Sequence, residues 1–274
     1  MPEKEKSNYI DLGAARQKKH RYPQPKQSAN TLFNFMPRGE YLKKILTQKA
    51  IVPRYVREDL SYLDLSISAI AIPMTCFCDI NIPRIEDHTK TYGKYGIAFY
   101  KDWCIEQHIQ PIHYINPDSH VRQDFQQAFQ TALRIPEKDE PTRILSNYLL
   151  SHLLYMKPLY GQKNGSDKTG INYHDEREWR YVPPLSQLDT DMPMLLNCNA
   201  DPAVKIEKYN AGLQQCHDAW LTFSWENIKY ILVPTESARN TVARVIMEKC
   251  QATKLEKYEL LTKIVILAEW KEDV

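Results

Sequence analysis

No part of the sequence runs to the roughly eighteen consecutive apolar residues that a membrane-spanning helix needs. The first residues, Met1-Pro2-Glu3-Lys4-Glu5-Lys6, lack the apolar stretch of a signal peptide. Both absences lead to the expectation of a cytoplasmic protein with no membrane partner. The HExxH, G-x-S-x-G, P-loop and GxGxxG patterns are missing too, which removes the chemistries those spacings serve. There is no CxxC. Cys76 and Cys78 are two apart, too far along one strand for an unstrained disulfide, and Cys-Phe-Cys has no second half nearby to complete a zinc site. With Cys104, Cys198, Cys216 and Cys250 they are expected to be free thiols in a reducing compartment, and no metal is expected. A charge excess is also lacking. The 36 Lys and Arg face 34 Asp and Glu, a net +2, which excludes a strongly basic nucleic-acid coat but not a local basic groove.

What is present suits one large domain: 274 residues, 43% hydrophobic, enough for a sizeable core. Tyrosine supplies 17 residues, so many buried or cleft aromatics carry a hydroxyl that needs a partner. Residues 1–30 hold seven basic and three acidic side chains, a net +4 that leaves −2 for the remainder. Rich in Pro, Gln and Lys, this arm is expected to be loosely ordered, either a solubilising tail or a handle for a polyanion or a partner protein.

From residue 31 onward, strand-like and helix-like patterns alternate irregularly and without repeat. Residues 31–36 read as a strand, 37–40 as a break, and the apolar positions 41, 42, 45 and 46 as one face of a helix. A strand, a polar turn and a helix make a natural anion site, with Arg38 in the turn. Residues 66–73 are apolar and 74–80 read as a second strand. His88 and Tyr92 share a helix face, and Gly93 suits the position after that helix. A strand at 96–100, a helix opening at 101, a strand at 110–116 and helices from 118 to about 133 and 142 to 156 follow. A flexible loop is expected at 162–170. Further on come a helix at 202–216, strands at 220–223 and 228–234, a helix capped by Thr235 and a closing strand at 263–268. This order implies an α+β fold, a single mixed domain over 31–274.

The stretch Asn172-Tyr173-His174-Asp175-Glu176-Arg177-Glu178-Trp179-Arg180-Tyr181-Val182 opens acidic and then alternates into apolar residues, as a strand entering a core should. Glu176 and Glu178, two apart on a strand, share a face and repel unless a cation or a ligand offsets them. The plain reading is a solvated strand edge with Arg177 and Arg180 as counter-charges. The functional one is a pair of working carboxylates.

Cys76-Phe77-Cys78-Asp79-Ile80, His88 with Tyr92-Gly93-Lys94-Tyr95-Gly96-Ile97, and Glu176-Arg177-Glu178-Trp179-Arg180-Tyr181 together resemble the AbiGi family of phage abortive-infection proteins over roughly residues 31–270. That family carries an antitoxin label. A weaker resemblance, in Phe33 to Leu46, 176–182 and 228–246, is to DarT-like ADP-ribosyltransferases. It implies an ADP-ribosyltransferase-like split β core with helical insertions, NAD as substrate, and Glu176-x-Glu178 as the catalytic pair. Glu178 would stabilise positive charge building on the ribose, and Glu176 would orient the acceptor, which could be RNA, DNA or protein. Asn34 or Arg38 near the first strand, with Asp79, His88, Tyr92 and Tyr95 as cleft wall, would hold the NAD. Glu178→Gln is then expected to abolish NAD consumption and leave the fold intact. The leading expectation is an ADP-ribosyltransferase toxin of an abortive-infection or toxin–antitoxin system. The alternative is a non-catalytic antitoxin or regulator that binds a cognate protein, and a third is a nucleic-acid-binding module built on the basic arm.

Overall fold

A computed structural model of the chain describes residues 28–136, 139–161, 170–199 and 206–270. The basic arm, apart from its last residues, and the loop at 162–170, apart from Gly170, lie outside the described residues. The chain opens with β1 (Thr31–Met36), α1 (Gly39–Gln48), β2 (Ala50–Ile51), β3 (Arg54–Asp59) and β4 (Ala69–Cys78). Next come α2 (Glu86–Tyr92), β5 (Tyr95–Tyr100), α3 (Lys101–Glu106), β6 (Gln110–Pro111) and β7 (His113–Ile115). The helical pair α4 (His120–Arg134) and α5 (Glu140–Leu154) precedes the short strands β8 (Met156–Pro158), β9 (Tyr160–Gly161) and β10 (Ile171–Asn172). The chain then forms β11 (Glu178–Tyr181), β12 (Leu196–Asn197), α6 (Ile206–Leu213), β13 (Leu221–Thr222) and β14 (Ile228–Val233). It closes with α7 (Glu236–Lys249), α8 (Lys254–Thr262), β15 (Ile264–Ile266) and α9 (Leu267–Trp270). The fold is mixed α+β, as the alternation of patterns implies.

Among the described residues, nine strands make the main sheet. Seven follow the order β15-β14-β5-β1-β4-β11-β6, and β3 and β12 pair along β4. β4 organises it. Nine of its ten residues are buried, so it reads as a continuous apolar run rather than an alternation. Residues 66–73 and 74–80 read as two segments from sequence, yet one strand runs through Pro73. Pro73 is tolerated because β12 has ended at Ala71 and β11 begins only at Thr75 on the edge its missing N–H faces.

Backbone groups of consecutive residues point to opposite edges of an antiparallel strand. The N–H of Asp79 bonds Arg177 and the carbonyl of Ala69 bonds Cys198, so odd residues face β11 and β12. The carbonyls of Ser68 and Cys76 bond Leu60 and the Asn34 side chain, so even residues face β3 and β1. β1 and β3 therefore share one edge of β4. β1 meets it only at Phe33 opposite Cys78, and β3 from Arg54 opposite Met74 onward. Between the two contacts the edge at Cys76 has no strand partner among the described residues, and a gap opens there.

Helices cover the sheet. α1, α7 and α8 bury Leu42, Leu46, Val242, Ile246 and Leu260 against Leu32, Ile97, Phe99 and Ile231. α4 and α5 bury Phe125, Phe129, Leu149 and Leu153 against Ile70, Ile72 and Met74. Thr235 caps α7 by accepting from the N–H of Ala238, as its position predicts. All six cysteines are free.

Gly93 ends α2 with φ at +111°, a conformation that suits glycine. A Cβ there would lie 2.3 Å from the Met36 carbonyl oxygen, so no side chain fits without moving the end of β1. Gly93→Ala is expected to cost more than about 2 kcal/mol, strain and clash together. Urea unfolding checks it, and a loss under about 0.5 kcal/mol would show the turn to be more tolerant than its geometry implies.

Candidate functional site

A cavity of about 740 Å³ lies in the gap beside β4. Its walls come from the end of β1 with α1, from β2 and β3, from residues 74–78 of β4, and from α2. Phe35, His88 and Tyr92 pack as tilted rings into one wall, with ring centroids 5.3 Å and 4.5 Å apart. The helical spacing of His88 and Tyr92 puts both rings on the same side of α2, as the sequence implies.

The polar end of the cavity gathers five charges. Lys157, carried by β8, donates to Glu176 Oε2 at 2.6 Å and to Glu178 Oε2 at 2.9 Å. Its Nζ also stands 4.5 Å from the centre of the Tyr173 ring. Tyr92 donates its hydroxyl to Glu176 Oε1. Arg180 Nε donates to Glu178 Oε1 at 2.6 Å, and its Nη1 donates to the carbonyl of Leu154 at 2.9 Å. Its Nη2 stands 3.2 Å from Glu58 Oε1. Arg180 is fully buried and Glu178 nearly so.

Burial alone would raise the Glu178 carboxyl, but the charges of Arg180 and Lys157 overcome it and hold the group well below the usual carboxylate range. Burial alone would likewise lower Lys157 and Arg180. Glu178 with Glu176 for Lys157, and Glu58 with Glu178 for Arg180, push both upward instead. The Tyr92 phenol is raised by burial and then by Glu176, so it stays a donor.

The two glutamates meet in a way the alternation rule did not foresee. Glu176 ends a short 3-10 turn, Arg177 takes a left-handed conformation with φ at +43°, and only Glu178 begins the strand. They are not two residues on one strand face. They converge because Lys157 reaches both. The expected solvated edge is also corrected: β11 lies between β4 and β6, and the counter-charges are Lys157 and Arg180 while Arg177 is exposed. Glu178 and Arg180, alternate residues of one strand, do share a face.

Of the residues expected to form a cleft, Asn34, His88, Tyr92, Glu176 and Glu178 line one cavity. Arg38, Asp79 and Tyr95 are not among its lining. Arg38 is exposed at the start of α1, where its side chain makes no cap. Asp79 is buried and accepts from Lys101 Nζ at 2.6 Å and from the N–H of Ala29 at 2.9 Å, so it anchors the entering chain. Tyr95 packs against the core beneath Gly39, where a Cβ would come within 3.0 Å of its ring. Asn34 uses its amide to close the gap, donating to the Cys76 carbonyl at 2.9 Å. Glu58 and Lys157 went unnoticed in the sequence. Lys157 is the single charge of a three-residue strand, and Glu58 sits between Arg57 and Asp59 in a charged run that reads as a solvated strand end.

Among the described residues no group of three His, Cys, Asp or Glu is placed to hold a metal ion, and no helix is long and apolar enough to cross a membrane. No solved structure matches the chain significantly. A family model described as "Putative abortive phage resistance protein AbiGi, antitoxin" matches residues 49–234, a span holding all of β2 to β14 and all five charges of the polar cluster. The abortive phage resistance protein AbiGi of Lactococcus lactis subsp. cremoris is 31% identical over 249 residues, covering 82% of this chain and 99% of the relative. Matches of this extent span most of the sheet and the polar end of the cavity, and the chain belongs to the AbiGi family.

Proposed function

We propose that the chain serves abortive phage resistance as an antitoxin-type regulator that acts by binding a partner protein. The antitoxin description of its family supports this reading. The structural observation that carries it is the state of the acidic pair. All four carboxylate oxygens of Glu176 and Glu178 accept from donors of this chain: Tyr92 and Lys157 for one, Arg180 and Lys157 for the other. A carboxylate that stabilises positive charge on a ribose has to present that charge to the substrate. Here two cations already offset Glu178, which suits a structural ion cluster. One observation favours the second reading, ADP-ribosyl transfer from NAD to nucleic acid or protein: Asn34, His88, Tyr92, Glu176 and Glu178 all line one cavity of ligand size.

Co-expression with the product of the adjacent gene separates the two. A regulator is expected to relieve growth arrest caused by that product and to elute with it as one complex. Arrest by this chain alone, with NAD consumed by the unmutated protein and spared by Glu178→Gln, overturns the regulator reading.

A further inference from the structure

We propose that the chain pairs with a second copy of itself through the outer face of α4 and α5, the α5 ridge of each copy seated in the α4–α5 groove of the other. The pairing rests on neither the regulator reading nor transfer chemistry. Among the described residues, five of the twelve exposed large apolar side chains lie on these two helices: Val121, Leu133, Ile144, Leu145 and Tyr148. Three of them crowd the first half of α5, where Ile144 is 61%, Leu145 53% and Tyr148 57% exposed. α5 is also composed like a buried helix. From Ile144 to Leu154 it holds no Asp, Glu, Lys or Arg, so its solvent side presents Asn147 and Ser151 where a surface helix carries charge. Leu149, Leu153 and Leu154 occupy its inner side, and the outer side stays apolar.

The same face carries both halves of a fit. Ile144, Tyr148 and His152 are spaced i, i+4, i+8 and form one ridge of α5, with the Tyr148 and His152 ring centroids 4.3 Å apart. Asp124, Ala128 and Ala132 have that spacing on α4, and the two small side chains leave a groove of about 320 Å³, with Thr131 and Ile135 of α4 and Leu145 of α5 along it. Ridges of i, i+4 rows pack into grooves of the same pitch when helices cross. A face with ridge and groove side by side fits a copy of itself turned about a two-fold axis, since the ridge of each then meets the groove of the other. The polar groups match in the same way. Asp124 is the one charged residue of the groove lining, and its side chain makes no ion pair or hydrogen bond among the described residues. The ridge offers the Tyr148 hydroxyl, also without a hydrogen bond there, and the His152 imidazole. Partial burial and then His113 lower that imidazole, so it adds no charge to the ridge at neutral pH. With its 15 residues α5 is about 22 Å long, and two helices about 10 Å wide give roughly 450 Å² per copy and about 900 Å² in all, near the ~1,000 Å² at which specific interfaces begin. The dimer is therefore weak and reversible, with a dissociation constant on the order of 10 µM.

Sedimentation velocity of the full chain tests this, over about 1 to 200 µM so as to bracket that constant. The parent is expected to pass from monomer to dimer. Ile144→Glu/Tyr148→Glu changes two exposed side chains, and its fold is checked by circular dichroism and melting. It is expected to stay monomeric throughout, because pairing would bury unpaired carboxylates. Asp124→Ala is expected to weaken pairing about tenfold, the loss of one charge-assisted hydrogen bond. Leu255→Glu/Tyr258→Glu places the same charges on another exposed apolar pair, on α8, and is expected to pair as the parent does. A parent monomeric across the range overturns the proposal, as does a dimer that survives Ile144→Glu/Tyr148→Glu or is lost equally with the α8 variant. Pairing unchanged by Asp124→Ala overturns the seating of ridge in groove. A monomeric parent that binds the product of the adjacent gene, and loses it on Ile144→Glu/Tyr148→Glu, overturns self-pairing and gives the face to that partner.

Discussion

Arg180→Met is expected to remove about 3–5 kcal/mol of folding stability, the cost of stripping one partner from a buried ion cluster. Domains of this kind have about 5–15 kcal/mol in total, so the variant should be close to unfolding at 37 °C. Arg180 is fully buried, holds Glu178 at 2.6 Å, stands 3.2 Å from Glu58 and donates to the Leu154 carbonyl. Without it two carboxylates share a dry pocket with Lys157 as their main counter-charge, and a backbone acceptor at the end of α5 loses its donor. Methionine fills much the same volume, so charge rather than cavity formation dominates. The paired variant Arg180→Met/Glu178→Met should recover part of the loss, because a buried pair replaced by apolar residues is often neutral. Urea unfolding measures both. A single variant within about 1 kcal/mol of the parent would mean that water reaches the cluster and screens it.

Lys157→Met should cost about 3 kcal/mol at neutral pH, and its effect should depend on pH in a defined direction. Lys157 attracts Glu178 only while that carboxylate is ionised. The folded-state carboxyl of Glu178 is depressed, so its stabilising contribution is fully present above the unfolded value of about 4.3 and fades as pH falls below it. The stability difference between parent and Lys157→Met is therefore largest near pH 7 and shrinks in acid. A difference that stays constant from pH 7 to pH 3 would assign Lys157 a packing role through Tyr173 instead. The same geometry revises one expectation from the sequence. Glu178→Gln is now expected to lower stability, since it removes a charge that Arg180 and Lys157 both pair with. Any activity lost in that variant has to be read against its melting curve.

Local pattern carried most of the secondary structure. The 3.6-residue spacing at Leu42, Ile45 and Leu46 marks α1, and the i, i+4 pair His88 and Tyr92 marks one face of α2. Gly93 and Thr235 end and start helices for reasons that reside in one residue each, a positive φ and a side-chain oxygen within reach of the first turn. The candidate site was legible to the extent that its residues belonged to such elements. Asn34, His88, Tyr92 and the two glutamates were nameable. Arg38 and Tyr95 were also nameable but are not in the cavity lining, because nothing local says which side of a turn or strand the cavity will occupy.

What the sequence by itself determined, then, is the α+β alternation, the buried run that becomes β4 and the acidic opening of the strand beside it. Each depends on neighbours two to four residues apart. Tertiary structure alone decided that β1 and β3 would share an edge of β4 and leave a gap at Cys76, because strand pairing joins segments whose spacing along the chain carries no signal. It alone brought Lys157 and Glu58 to Glu176, Glu178 and Arg180. Coulomb attraction between buried side chains depends on distance in space, and the closeness of these five charges exists only once the sheet has closed around them.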